Sequence, residues 1–205
     1  MNKFLISLYL LLSVGFLEAQ NRTDVRIKND VFSVSYNEVL EQPNWVEYNV
    51  RNITKKFDRG SMDFYVPKGV HTSDNNDYRN NVWDKGHMAP AAAFTDTKEN
   101  LKTTFSYLNC SLQFDKLNRG AWRELEAQER IWAKEFGTLK VRVVLEFKDG
   151  YLILPTGGHV PSGYWKHITF PNGRKECFYF PNSTPTKHWS DYEIQCQVRR
   201  EKTLF

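Results

Sequence analysis

One stretch of this chain can form a long helix, and segments that read as strands flank it on both sides. Over residues 118–136, Asn118, Trp122, Leu125, Ala133 and Phe136 fall on one face at about 100° per residue, with Trp132 at its edge. Arg123, Glu124, Arg130 and Lys134 fall on other faces, and Gly137 ends the helix. Upstream, residues 31–36 alternate as a strand, and a turn at Pro43 opens a second strand through Val50. Residues 105–108 read as a buried strand ending at Asn109. Downstream, residues 139–147 form a strong strand, and Asp149-Gly150 is a hairpin turn into residues 151–155. Residues 164–170 and 177–182 are two further strands joined at Asn172-Gly173. Strands, one long helix, then strands: that order argues α+β, with a central antiparallel sheet.

At 205 residues and 24.1 kDa the chain is large enough for one sizeable core, and residues 31–205 are expected to form a single domain. Residues 1–19 read as a signal peptide: Lys3 precedes an apolar run over residues 4–17, and Ala19 is a small residue suited to cleavage. That run is short for a bilayer span, so the mature chain is expected to be secreted or periplasmic, with no stable membrane association; a retained N-terminal anchor is the alternative. Residues 20–30 read as a flexible tether, and residues 67–81, rich in Pro, Gly, Asn, Asp and Ser, as a long surface loop. Of three cysteines, Cys177 and Cys196 are the expected bridge in an exported chain, leaving Cys110 a buried free thiol. The net charge of +4 permits a polyanionic substrate without demanding one.

The chemistry concentrates in two arms. The first is Asp84-Lys85-Gly86-His87-Met88-Ala89-Pro90, which offers a histidine just after a glycine. The second runs from Asn109 through Gln113 to Asn118-Arg119-Gly120-Ala121-Trp122 and Leu125-Glu126, offering two asparagines and a glutamate around the helix start. Phosphodiester hydrolysis needs an activated water, a cation on the non-bridging oxygens and a proton for the leaving oxygen. A neutral His87 can take the water's proton near neutral pH. An asparagine carbonyl suits hard Mg2+ and leaves most of the ion's charge for the phosphate. Lys85 or Arg59 can bind the phosphate as charge builds. Asn118 heads an inward-facing stripe and needs a partner; a plain helix N-cap role satisfies that need equally well.

These blocks together closely resemble the DNA/RNA non-specific endonucleases, the ββα-metal or His-Me finger family. Pro43-Asn44-Trp45-Val46, residues 59–64, residues 160–166 and Phe180-Pro181-Asn182 extend the resemblance over residues 31–182. It implies a ββα-metal core within the α+β fold, with His87 as general base and Asn118 as the direct metal ligand. It also implies Glu126 holding the metal through water, Asn109 in a supporting and substrate-contacting position, and Arg59 binding phosphate. The implied cofactor is Mg2+, with Mn2+ as a substitute. The implied substrates are DNA and RNA, cut with little sequence preference to 5′-phosphate products, because phosphate contacts carry no sequence information. A homodimer is compatible with it.

Two departures stand out. Lys85 occupies a position where the family usually has arginine, which keeps the charge but loses the bidentate fork. Ser111-Leu112 replaces a proline-containing turn. The competing reading is a catalytically impaired nuclease fold that binds nucleic acid or a protein partner. A toxin-like nuclease needing an immunity partner is a third, against which the leader counts.

Overall fold

The computed structural model describes residues 21–196, so the expected leader at 1–19 and the last residues, 197–205, lie outside the described part. A seven-stranded antiparallel sheet carries the molecule, in the order β1-β2-β3-β6-β7-β8-β9. Its strands are β1 (Val25–Lys28), β2 (Phe32–Asn37), β3 (Gln42–Val50), β6 (Leu139–Glu146), β7 (Gly163–Thr169), β8 (Lys175–Pro181) and β9 (Glu193–Ile194). A separate two-stranded ribbon pairs β4 (Trp83–His87) with β5 (Cys110–Phe114). Helix α1 (Lys98–Thr104) lies between the two ribbon strands in the chain. A helical segment follows β5: a short α2 (Asp115–Leu117), a π-helical turn Asn118–Trp122, and α3 (Arg123–Phe136). The fold is α+β, and β4, β5 and this helix form the expected ββα unit.

Period-two alternation explains the sheet. Leu139, Val141, Val143 and Leu145 of β6 point to one face, as do Val46, Tyr48 and Val50 of β3 and Tyr164 and Ile168 of β7. Trp122, Leu125 and Ala133 of the helical segment join that core. One polar contact sits inside it. Lys166 of β7 and Glu129 of α3 pair at 2.6 Å with both side chains wholly buried. Tyr48 donates its hydroxyl to Glu129 Oε2 at 3.2 Å, and Lys166 Nζ lies 4.2 Å from the centre of the Trp122 ring. Helix α3 is thereby held to the sheet at one register.

A second, smaller core gathers Phe64, Leu101, Phe105, Tyr107 and Cys110. It lies under the ribbon, whose β5 is bolted to the large sheet. Asn182 donates to the carbonyls of Leu112 and Pro161, each at 2.9 Å, and accepts from the Phe114 amide at 2.7 Å. Gln42 Oε1 accepts from the Leu112 amide at 3.2 Å.

Several expectations change. Part of the stretch read as a tether is ordered: Val25–Lys28 pairs along its whole length with β2, because two apolar residues at spacing two suffice for an edge strand. Residues 105–108 do not form a strand; α1 ends at Thr104 and a 3-10 turn, Tyr107–Asn109, feeds β5. Residues 151–155 follow the Asp149-Gly150 turn but make only an isolated bridge, Ile153 to His159. The Cys177–Cys196 bridge is present, and Cys110 is free and buried. No described helix is long and apolar enough to cross a membrane.

Candidate active site

The ribbon places His87 at the end of β4, opposite Cys110. Gly86 is dictated by close approach: a Cβ there would lie 2.4 Å from Gln113 Oε1 and 2.6 Å from Gln113 Cβ. The imidazole is wedged between aromatic rings, with Phe64 at 4.6 Å and Phe105 at 4.9 Å between centroids. Its Nε2 is buried and makes no hydrogen bond among the described residues. Burial first, and Arg59 second, push its pKa down to about 3, so the ring is neutral at any ordinary pH. Part of the ring still opens on a recess shared with Asn118 and Glu126.

Asn118 opens the π-helical turn, where Gly120 leaves helical geometry at φ −107°, ψ −117°. Its side chain does not cap a helix. Nδ2 donates to Asp84 Oδ2 at 2.9 Å, and Oδ1 accepts no hydrogen bond among the described residues. Arg119 closes a fork on the same carboxylate, Nε to Oδ2 at 2.8 Å and Nη2 to Oδ1 at 2.6 Å. Asp84 lies below the usual carboxylate pKa range despite its burial, because Arg119 and Asn118 hydrogen-bond to it. A charged acceptor that binds the amide NH2 leaves the amide oxygen as the free acceptor.

Glu126, on α3, lines the same recess. Burial raises its carboxyl pKa to about 7, with Lys166 opposing and Glu129 adding to the shift. Arg130 Nη1 donates to the Glu126 carbonyl at 2.9 Å. Arg59 is brought in from the loop after β3 and stands 5.0 Å from the centre of Phe105, the ring that also packs on His87. It lines both the recess, of about 230 Å³, and an adjoining cleft of about 520 Å³ that holds Trp83, Asp84 and Lys85.

Two sequence-based expectations meet a different geometry. Asn109 is wholly buried: Oδ1 accepts from the Ala89 amide at 2.8 Å, and Nδ2 donates to the carbonyls of Ala89 and Thr104, each at 2.9 Å. It braces the turn just after His87 and has no amide proton left for a substrate. Lys85 lines the larger cleft, but its ammonium pairs with Asp63 at 2.8 Å and also bonds Asn75 Oδ1, with Phe64 and Tyr107 beneath it. The phosphate grip assigned to Lys85 on charge alone is thus occupied from within the chain. Asp84 and Arg119 were visible in the motifs, yet nothing local signalled their joint hold on Asn118, since the contact spans 34 residues of chain.

Comparison with known proteins fits this geometry. Residues 11–203 match the DNA/RNA non-specific endonuclease family. The chain belongs to that family. Bovine mitochondrial endonuclease G is 33% identical over 40% of this chain and 29% of its own length. A nuclease of Nostoc is 28% identical over 69% of this chain and 53% of its own length. The Serratia marcescens nuclease is 27% identical over 80% of this chain and 66% of its own length. Against the endonuclease G relative, then, the match spans less than a third of the longer protein. A chain from the crystal structure of the EndoG/EndoGI complex superposes with a TM-score of 0.74 at 25% identity, covering 83% of this chain and 80% of that one. The family is one of hydrolases acting on DNA and RNA, and the ββα unit of this endonuclease-family chain carries His87, Asn118 and Glu126 into one recess.

Proposed function

We propose that this chain is an exported, Mg2+-dependent endonuclease that hydrolyses DNA and RNA with little sequence preference and leaves 5′-phosphates. The observation that carries this reading is the Asp84–Asn118 hydrogen bond, which occupies the amide NH2 of Asn118 and leaves its carbonyl oxygen unbonded, on a residue that lines the recess with His87 and Glu126. No described group of three or more His, Cys, Asp or Glu side chains is placed to hold a metal ion. The residues fit a different kind of site: one unbonded amide oxygen with a carboxylate in the same recess. Those are hard oxygen donors suited to a Mg2+ or Mn2+ ion that keeps most of its waters. Asn118 would hold the ion directly and Glu126 through its waters. When bound, the ion supplies charge on the non-bridging phosphate oxygens and a water acidic enough to protonate the leaving oxygen.

The chain's own residues do the rest. His87, neutral at working pH, accepts the proton of the attacking water. Phe64 and Phe105 fix the ring's orientation and shield it from bulk water. Arg59, beside that ring, binds the phosphate as negative charge grows. Nothing in this set reads base edges, so the cut falls with little regard to sequence.

Plasmid, single-stranded DNA and RNA incubated with Mg2+ should all be degraded, and EDTA should abolish it. His87→Ala and Asn118→Ala should each lose nearly all activity while keeping the wild-type melting temperature within a few degrees. Intact substrate with wild-type protein across pH 6 to 9 would overturn the reading. It would leave the alternative favoured by the Lys85–Asp63 pair, a nucleic-acid-binding fold without catalysis. Export rests on residues 1–19, and mass spectrometry of the culture medium or periplasm should find a chain beginning at residue 20.

A further inference from the structure

The recess that holds His87 and Asn118 is lined by three arginines, Arg59, Arg119 and Arg123, and they are not in the same state. Arg59 lies over Phe105 and donates Nε to the Met62 carbonyl at 3.3 Å. Arg119, although 67% exposed, has one edge of its guanidinium closed on Asp84. The side chain of Arg123, the exposed first residue of α3, makes no hydrogen bond or ion pair with any described residue. The ammonium expected to grip phosphate, Lys85, is held by Asp63 and Asn75 with only 21% of its side chain exposed. The cation in this nuclease-family recess with neither an ion pair nor a role already assigned is therefore Arg123, four residues after Arg119 and lining the recess with Asn118 and Glu126.

We propose that Arg123 is a substrate-binding residue that holds the phosphate next to the scissile one, making up for the grip that Lys85 has lost to Asp63. A guanidinium presents planar paired donors that match a phosphate, and an unpaired one pays no cost of breaking an internal ion pair on binding. An unpaired arginine on a helix is ordinarily a solvated surface charge. Two observations set this one apart: it lines the recess of the reacting groups, and the neighbouring Lys85 and Arg119 are held in ion pairs while Arg59 is assigned to the scissile phosphate itself. This assignment rests on the nuclease reading above, and it deepens that reading by fixing where a flanking nucleotide lies.

Two measurements test it separately from that reading. The first is binding of a fluorescein-labelled single-stranded oligonucleotide in EDTA, followed by anisotropy over a series of NaCl concentrations, so that nothing is cut. Arg123→Ala should weaken binding about three- to tenfold and make the slope of log K against log[NaCl] shallower by about 0.7, one single-strand phosphate contact. Arg123→Lys should restore the slope and only part of the affinity, whereas Lys134→Ala, about three helical turns further along α3 and outside the recess, should match wild type. The second is steady-state cleavage of the same oligonucleotide with Mg2+, where Arg123→Ala should raise KM more than it lowers kcat. Wild-type affinity and slope in Arg123→Ala overturn the proposal, whether or not the protein cuts. Loss of affinity in Arg123→Ala together with a wild-type protein that cuts nothing supports the phosphate site and overturns the nuclease reading alone.

Discussion

Asp84 and Asn118 meet at 2.9 Å across 34 residues of chain, the carboxylate of a β-strand holding the amide of a π-helical turn. The contact decides which end of the Asn118 amide is bonded and which is left free. Removing the carboxylate frees the amide to rotate and leaves Arg119 without its fork. Asp84→Ala should therefore lower kcat/KM for DNA about 10- to 100-fold and raise the Mg2+ concentration needed for half-maximal rate. Mg2+ titrations of the cleavage rate check both effects. An Asp84→Ala protein with wild-type Mg2+ dependence would show that the amide needs no such hold.

Glu126 ties the metal requirement to pH. Without metal, burial holds its carboxyl near pKa 7, so below that pH the group carries a proton that metal binding must expel. The apparent Mg2+ requirement should rise as pH falls through about 7 and level off above it. The stability of the metal-free protein should also rise as pH falls. The folded carboxyl keeps a proton that the unfolded chain releases between 4.5 and about 7, so its contribution is complete below 4.5 and is lost as pH rises through about 7. Glu126→Gln should flatten both trends, as rate titrations and urea melts over pH 4 to 8 would reveal.

Gly86 is the tightest point of the ribbon. A methyl there would overlap both Oε1 and Cβ of Gln113, and the Cβ cannot rotate away. Gly86→Ala should cost about 1–3 kcal/mol of stability and displace His87 by moving its neighbouring backbone. Gln113→Ala should not rescue it, because the Cβ overlap persists, whereas Gln113→Gly should recover part of the loss. Urea denaturation of the three variants measures this.

The Lys166–Glu129 pair has no water to fall back on. Lys166→Met leaves a carboxylate buried without its counter-charge and should cost about 3–5 kcal/mol. Lys166→Met combined with Glu129→Leu should recover most of that, since an apolar pair of similar volume fits the same space. If the double variant is as unstable as the single one, packing rather than charge governs the site.

Much of the fold was legible because strands and helices advertise themselves locally. The alternation of Leu139, Val141, Val143 and Leu145 is a strand whatever surrounds it, and Trp122, Leu125 and Ala133 define a buried helix face. Glu129 falls on the same buried side, yet only the strand opposite it, with Lys166, explains why a carboxylate belongs there. Strand β1 was missed because four residues with two apolar side chains carry little periodicity of their own. Residues 105–108 misled for a related reason: they are buried and apolar, and burial in a 3-10 turn looks the same in sequence as burial in a strand.

The candidate site divides along the same line. Residue types and their spacing were enough to single out His87, Asn118, Glu126 and Arg59, because a base, a hard oxygen ligand, a carboxylate and a cation are chemical properties that a side chain carries wherever it stands. What those groups are bonded to is not such a property. That Asp84 holds Asn118, that Asn109 faces backbone, and that Asp63 and Asn75 hold Lys85 all depend on contacts between residues 10 to 34 apart, along loop paths with no repeating pattern. Chain connectivity leaves such pairings undetermined; they arise only when the ribbon docks on the sheet and the loops close over it.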